Sequence, residues 1–284
     1  MKNRFWTLAL MMAVAIAAGS GAVVAMPSLG GPTGIVSVPN ALVAPTGQLQ
    51  TALTYQSQTY ASSMYGDDVD ATYWALNVLT GVTDEAELWA AYALVDQDMP
   101  TDSETANMWA IGGKYQFTTE PEDQASLAVG GSWESWSDSV LAGGGSMYGT
   151  GDFDVFKAYI VATKDFTPMT GQAWEWSEGG VRMLGSVGLM YTKVSPDEGD
   201  SMSMSRPFVG LEFASAKATT LGLEYRWKDD DIDMKSVFSA VLRYRFSAVI
   251  EAEIGTTNAG PAGIGLDDQD FFVRVGYTIP MGGY

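Results

Sequence analysis

The side chains best placed to do chemistry are arginines and glutamates at alternating positions: Arg182, Glu212, Glu224, Arg226, Arg243, Arg245, Glu251, Glu253 and Arg274. Successive side chains of a β-strand point to opposite faces, so each of these falls opposite its strand's apolar residues. If the apolar face meets lipid, the charges face a lumen. There they either pair across the wall, which is the favoured expectation, or form a constriction that selects a solute. One hairpin gives a sharper expectation. Keeping Tyr244, Phe246, Ala248 and Ile250 on one face requires Phe246 to oppose Ala248, which sets Arg243 opposite Glu251, with Arg245 and Glu253 as diagonal neighbours.

Other chemistry is scarce. The chain has no histidine and no cysteine, which removes the base used by lipases, proteases and acyl transferases and the usual zinc ligands. Acidic residues number 34 against 15 basic ones, for a net charge of −19. Carboxylates are so abundant that any pair chosen as glycosidase acid and nucleophile is what chance would supply. Asp229, Asp231 and Asp233 have the spacing that opens a calcium loop, yet Met234 stands where the turn glycine belongs and Ala240 where the bidentate glutamate belongs. The run Gly143-Gly144-Gly145 is not followed by the Lys and Ser/Thr of a phosphate loop. The expectation is a non-enzyme with no catalytic residue, no cofactor and no tight metal site. Acidic outer loops would hold divalent cations weakly, against an anionic lipid leaflet. Nucleic acid is a poor partner for so negative a surface.

The elements that must position these residues are strands. Period-two alternation recurs in segments of the length a tilted membrane strand needs. Phe271, Val273, Val275, Tyr277 and Ile279 share one face, with Arg274, Gly276 and Thr278 on the other. Trp109, Ile111, Gly113, Tyr115 and Phe117 likewise oppose Ala110, Gly112, Lys114 and Gln116. Extending the pattern places strands over 48–60, 70–80, 85–95, 107–118, 125–134, 153–164, 181–193, 206–214, 219–228, 235–246, 247–255 and 270–279. The expected fold is an all-β, transmembrane, antiparallel up-and-down barrel of about twelve strands, the even number a bacterial single-chain barrel requires.

Three features favour a membrane over a soluble secreted β-domain. Connections alternate between short (81–84, 215–218, 246–248) and long (95–106, 135–152, 194–205, 255–269), as periplasmic turns and outer loops do. Aromatics fall at strand ends as two girdles, Tyr60, Trp133, Tyr191 and Trp227 at one rim and Phe117, Tyr244 and Phe246 at the other. Acids such as Asp96, Asp98, Glu134, Asp138, Asp152, Asp154 and Asp267 gather in or beside the long connections. The connection 165–180, with Trp174 and Trp176, is too long for the short turn its place demands. Ahead of the strands, Lys2 and Arg4, an apolar run from Phe5 to Ala18 and the small residues up to Ala25 have the layout of a secretory signal peptide. That divides the chain into a signal peptide (1–25), a Gly/Pro-rich lead-in (26–47) and the barrel (48–284). Residues 26–66 carry no charge, but Pro27, Pro32, Pro39 and Pro45 rule out a membrane helix.

The lead-in reads Gly31-Pro32-Thr33-Gly34, then Pro39, Ala41, Pro45 and Gly47. This pattern, under a tenth of the chain, resembles the opening segment of YjbH-like outer-membrane barrels associated with exopolysaccharide production. The resemblance implies an outer-membrane barrel serving polysaccharide secretion or surface assembly, with no catalytic residues to carry over. A plainer reading is that the segment only turns the chain into its first strand. The functional expectation is an outer-membrane β-barrel acting as a passive conduit or a surface or exopolysaccharide assembly component, with a structural or adhesive barrel of closed lumen as the alternative. Its partners would be the bilayer, anionic outer-leaflet lipid and a polysaccharide or small solute.

Overall fold

A computed structural model describes residues 27–29, 31–61, 68–98, 103–118, 125–140, 150–166, 181–197, 200–215, 218–229, 235–260, 263 and 265–281. The signal peptide, Gly143–Gly145, Trp174, Trp176, Asp231 and Asp233 lie outside the described residues, as do the side chains of Tyr60, Asp138 and Asp267.

The strands are β1 (Gln48–Ala61), β2 (Asp68–Thr83), β3 (Ala86–Asp98), β4 (Ser103–Thr118), β5 (Ser126–Val140), β6 (Thr150–Asp165), β7 (Val181–Pro196), β8 (Met202–Ser215), β9 (Thr219–Arg226), β10 (Val237–Arg245), β11 (Ile250–Ala259) and β12 (Gly265–Pro280). Each pairs antiparallel with its sequence neighbours, and β1 pairs with β12, so twelve strands form a closed up-and-down barrel. Closure matters because it leaves no unpaired strand edge, so the described strands pair along both sides, interrupted only by irregularities such as those at Gly81/Thr83 and Trp136/Ser139.

The wall is polarised outward. Every strand presents large apolar residues on its outer face, among them Leu53, Leu76, Leu88, Ile111, Val129, Ile160, Val187, Leu211, Leu221, Leu242, Ile254 and Val275, each roughly 40–60% exposed. Charged residues of the same strands point inward and are buried: Arg206, Arg226 and Arg274 are among the most fully enclosed side chains. An apolar belt around the whole circumference far exceeds the few hundred Å² a soluble monomer exposes. The polarity is that of a membrane barrel.

The strands run longer than the alternation alone indicates. β5 continues to Val140 and β6 starts at Thr150, so the expected loop 135–152 shrinks, and β3 and β4 leave a connection of only residues 99–102. The cause is that tracts such as Asp96-Gln97-Asp98 keep the ladder hydrogen bonds after the apolar belt ends. Two positions move accordingly. Trp133, expected at a rim, sits mid-strand opposite Ile111 and Phe156, its ring 4.4 Å from that of Trp109. Glu134, counted among the loop acids, is a buried lumen residue.

The hairpin β10–β11 also differs from expectation. Arg243 opposes Glu253 and Arg245 opposes Glu251, two residues away from the expected pairing. The expected register left Ser247 alone to reverse the chain. The observed one gives the turn Ser247, Ala248 and Val249, closed by Phe246 and Ser247 N–H groups donating to the Ile250 carbonyl. A shift of two preserves which face each residue occupies, so the lumen set is unchanged while its pairing changes.

Candidate functional site: a lumen filled by its own N-terminal segment

The residues before β1 do not merely lead into the barrel; they occupy it. Residues 27–29 and 31–44 fold back inside the lumen, with Ile35, Val36, Val38, Ala41 and Ala44 at 1% exposure or less, and the exposed Pro45 and Thr46 lead out to β1. The segment pairs part of its backbone with itself, Leu29 N–H donating to Val36 O and Asn40 N–H to Thr33 O among others, and its remaining buried groups need partners from the wall. Two carboxylates take five of its N–H groups. Glu224 accepts the backbone N–H groups of Val36 (3.0 Å), Ser37 (2.9 Å) and Val38 (3.1 Å), together with the hydroxyls of Ser37 and Ser239. Glu87 accepts from Thr33 N–H (2.9 Å) and Ala44 N–H (2.8 Å) and forms an ion pair with Lys114 at 3.0 Å. Hydrogen bonds to a charged acceptor in a dry interior are among the stronger ones available to a fold.

Cations take the carbonyls. Lys114 donates to Asn40 O (3.1 Å) and Thr33 O (3.3 Å) and contacts the Thr33 hydroxyl. Arg226 donates to Ser37 Oγ (2.8 Å), Arg243 to Gly34 O (3.4 Å) and Arg274 to Pro27 O. Neutral side chains complete the seat: Asn77 donates to Ser28 O (3.1 Å), Asn40 to Glu212 (3.3 Å), and Ala41 N–H to Thr163 Oγ1 (2.8 Å).

Shape follows the same logic. Ile35 fits where the wall has glycines: a Cβ on Gly210 would lie 2.4 Å from Ile35 Cδ1, and one on Gly222 2.6 Å from Ile35 Cγ2. Gly31 has φ of +104° and lies against the Trp89 indole, so any other residue there would meet both backbone strain and the ring. Of the motif positions in the lead-in, Gly31, Pro32, Thr33, Gly34, Pro39 and Ala41 are buried in the lumen, whereas Pro45 is exposed and Gly47 half-buried beside β1.

The expected charge set divides as follows. Glu212, Glu224, Arg226, Arg243, Glu251, Glu253 and Arg274 are buried in the lumen, and Arg245 is half-buried on the same face. Glu253 is the shared acceptor for Arg243 and Arg274, and Glu212 lies 3.9 Å from Arg243. Arg182 stands apart: it pairs with Asp165 at 2.6 Å, with its side chain 41% exposed. Sequence reasoning missed Glu87, Glu134, Lys157 and Arg206 as lumen groups. Lys157 pairs with Glu134, and Arg206 donates to Gly263 O at 2.8 Å. Glu87 escaped notice because it shares its face with Trp89, Ala91, Ala93 and Val95, all buried inward, which reads as an apolar face turned to lipid. The lumen is therefore not polar throughout: along β2–β6, alanines, Met108, Trp136, Phe153 and Val155 make an inner apolar cluster. Trp136 and Phe153 stack at 5.6 Å.

No family model and no curated protein matches the chain. Solved structures do. An outer membrane channel from Pseudomonas putida F1 superposes with a TM-score of 0.52 at 10% identity, covering 86% of this chain and all of that one. The KdgM porin gives 0.47 at 12% identity over 80% of this chain and 98% of its own. The translocator domain of the autotransporter NalP from Neisseria meningitidis gives 0.47 at 15%, over 82% and 88%. The first of these shows a shared fold, the closed antiparallel barrel of outer-membrane proteins.

Proposed function

We propose that this chain is an exported, non-enzymatic outer-membrane barrel whose lumen is kept shut by residues 27–47, serving the cell surface as a structural or assembly component rather than as an open passive conduit. The observation that carries this reading is the seating of that segment on Glu87 and Glu224, which between them accept hydrogen bonds from five of its backbone N–H groups. A segment held by buried charge on two sides of the barrel is part of the folded wall's stability, and an open pore would forfeit those bonds. The apolar belt on all twelve strands opposes the soluble alternative. The resemblance to YjbH-like barrels adds exopolysaccharide assembly as the process served, since six of the residues that carry it, Gly31, Pro32, Thr33, Gly34, Pro39 and Ala41, are buried in the lumen. The bilayer is the principal partner; the acids at the loop end face its anionic leaflet, where divalent cations would bridge them weakly.

Planar-bilayer recording of the purified full-length protein tests this. The expected result is no steady conductance from the native chain and ion-conducting steps from Glu224→Ala, in which three backbone N–H groups lose their acceptor. Steady, ion-selective steps from the native protein would establish an open conduit instead.

A further inference from the structure

The apolar belt on the outer face is not even. Leu88, Ile111, Trp133 and Phe156 line an open groove of about 540 Å³ in the lipid-facing wall, and Leu88, Ile111 and Phe156 are each about half exposed. The belt dips here because the outward positions at its centre are small: Gly131 lies opposite Gly113 on one side and Ala158 on the other. In a bilayer such a groove is covered by hydrocarbon, and a chain that follows it recovers dispersion contacts that a flat wall of lipid would leave unmade.

The next positions toward the loop end supply charge. Lys193 stands directly opposite Phe156, and Asp154 lies opposite Ser135 and Ser195, all on the outward face. Lys193 and Asp154 are therefore diagonal neighbours on β7 and β6, about 7–8 Å apart by ladder geometry. Neither is ion-paired among the described residues. Trp109 is at the level of Asp154, opposite Ser135, and its ring packs on that of Trp133; indoles of a membrane protein gather at the headgroup level. A carboxylate on the lipid side is costly unless it meets water or a countercharge. A headgroup carrying a phosphate beside an ammonium answers both charges at once, the phosphate on Lys193 and the ammonium donating to Asp154. An anionic headgroup would meet Lys193 but be repelled by Asp154.

From the groove and these two charges together we infer that the outer face across β4–β7 binds one zwitterionic diacyl phospholipid of the phosphatidylethanolamine type, with an acyl chain in the groove and the headgroup bridging Lys193 and Asp154. The inference rests on the outer-membrane reading and is independent of the closed lumen.

The test is native mass spectrometry of the full-length protein in detergent, offered palmitoyl-oleoyl phosphatidylethanolamine or phosphatidylglycerol, which share their chains and differ in headgroup. The expected result is one ethanolamine lipid retained per barrel, at a several-fold lower lipid concentration than the glycerol lipid requires. Trp133→Ala, which removes a groove wall, should weaken retention of both lipids, whereas Leu242→Ala, on the outer face of β10 away from the groove, should change neither. Asp154→Asn should bring the two lipids to near-equal retention, and Lys193→Gln should weaken both. Heat-modifiable gel migration of each variant separates a lost site from a lost fold. Equal retention of the two lipids by the native protein, or a preference that survives Asp154→Asn, overturns the headgroup assignment. Equal losses from Trp133→Ala and Leu242→Ala, or no lipid retained at one per barrel, overturn the groove. A lipid-free dimer in the same spectra shows that a second copy covers the groove and overturns the lipid site as well. Native protein that stays soluble without detergent overturns the outer-membrane reading itself.

Discussion

The two sides of the lumen solve the same problem in opposite ways. Along β8–β12 the inner face is ionic: Glu212, Glu224, Arg226, Arg243, Glu253 and Arg274 are all buried, and they share partners, with Glu253 serving two arginines and Glu212 near one of them. Along β2–β5 the inner face is built of alanines and rings, Ala71, Ala75, Ala91, Ala93, Ala110, Trp89 and Trp136, and the charges that meet the lumen segment there are Glu87 and Lys114. A shared network can redistribute its hydrogen bonds when one member is lost. An isolated buried pair cannot, because removing one partner leaves the other charged and desolvated.

The largest expected effect follows from that contrast. Glu87→Ala strands Lys114 and deprives Thr33 and Ala44 of their acceptor, and should destabilise the barrel by about 3–5 kcal/mol in a urea-folding titration. Glu212→Ala, inside the ionic network, should cost clearly less. If the two losses are equal, the redundancy assigned to the β8–β12 side is wrong.

The outer face should show no such asymmetry, because lipid meets both sides alike. Leu76→Arg on β2 and Val275→Arg on β12, at residues 49% and 48% exposed, should each cost about 2–4 kcal/mol near the bilayer midplane. A large difference between them would move the contrast between the two sides from the lumen to the lipid face.

The fold itself was legible in the sequence to a useful degree, for a physical reason. Where lipid lies outside and charge inside, alternation marks the strands and their facing without knowledge of neighbours; along β2–β6, where the inner face is apolar as well, it marks the strands but not which face turns inward. Strand ends were harder to read, since Ser135, Trp136, Ser139 and Val140 keep pairing with β6, across a register shift, after the apolar signal stops. The lumen segment was hidden because nothing periodic marks it: Ile35, Val36 and Val38 are buried by the wall that surrounds them, not by an element of their own. The one available signal was the absence of charge from 26 to 66, which suits a segment enclosed by charges supplied from elsewhere. Glu87 was obscured by the same wall, its apolar companions being turned inward.

A smaller effect probes how the segment is seated on the ionic side. Gly222→Ala places a methyl against Ile35 and Val241, at 2.6 and 2.7 Å before any relaxation. The overlap is with side-chain ends, so the expected cost is about 1–3 kcal/mol. The double variant Gly222→Ala with Ile35→Ala should be less destabilised than the two single losses predict when added. Simple additivity in the same titration would mean that Ile35 does not sit over Gly222.

The smallest effect bears on register. Arg245 stands directly opposite Glu251 at the turn end of β10–β11, half-buried, where water reaches it. Opposite charges facing each other across a strand pair contribute roughly 0.2–1 kcal/mol when solvated. A double-mutant cycle on Arg245 and Glu251 should return a coupling in that range, favourable in the native orientation and largely restored by the exchange Arg245→Glu with Glu251→Arg. The pairing of Arg243 with Glu251 suggested by the apolar pattern would instead put the stronger coupling between those two residues, and would leave Arg245 with a diagonal partner only. In the observed register Arg243 faces Glu253, so exchanging Arg243 with Glu251 should not recover the loss that Arg243→Glu causes. Recovery there, with no coupling between Arg245 and Glu251, would shift the hairpin back by two residues and reduce its turn to Ser247 alone.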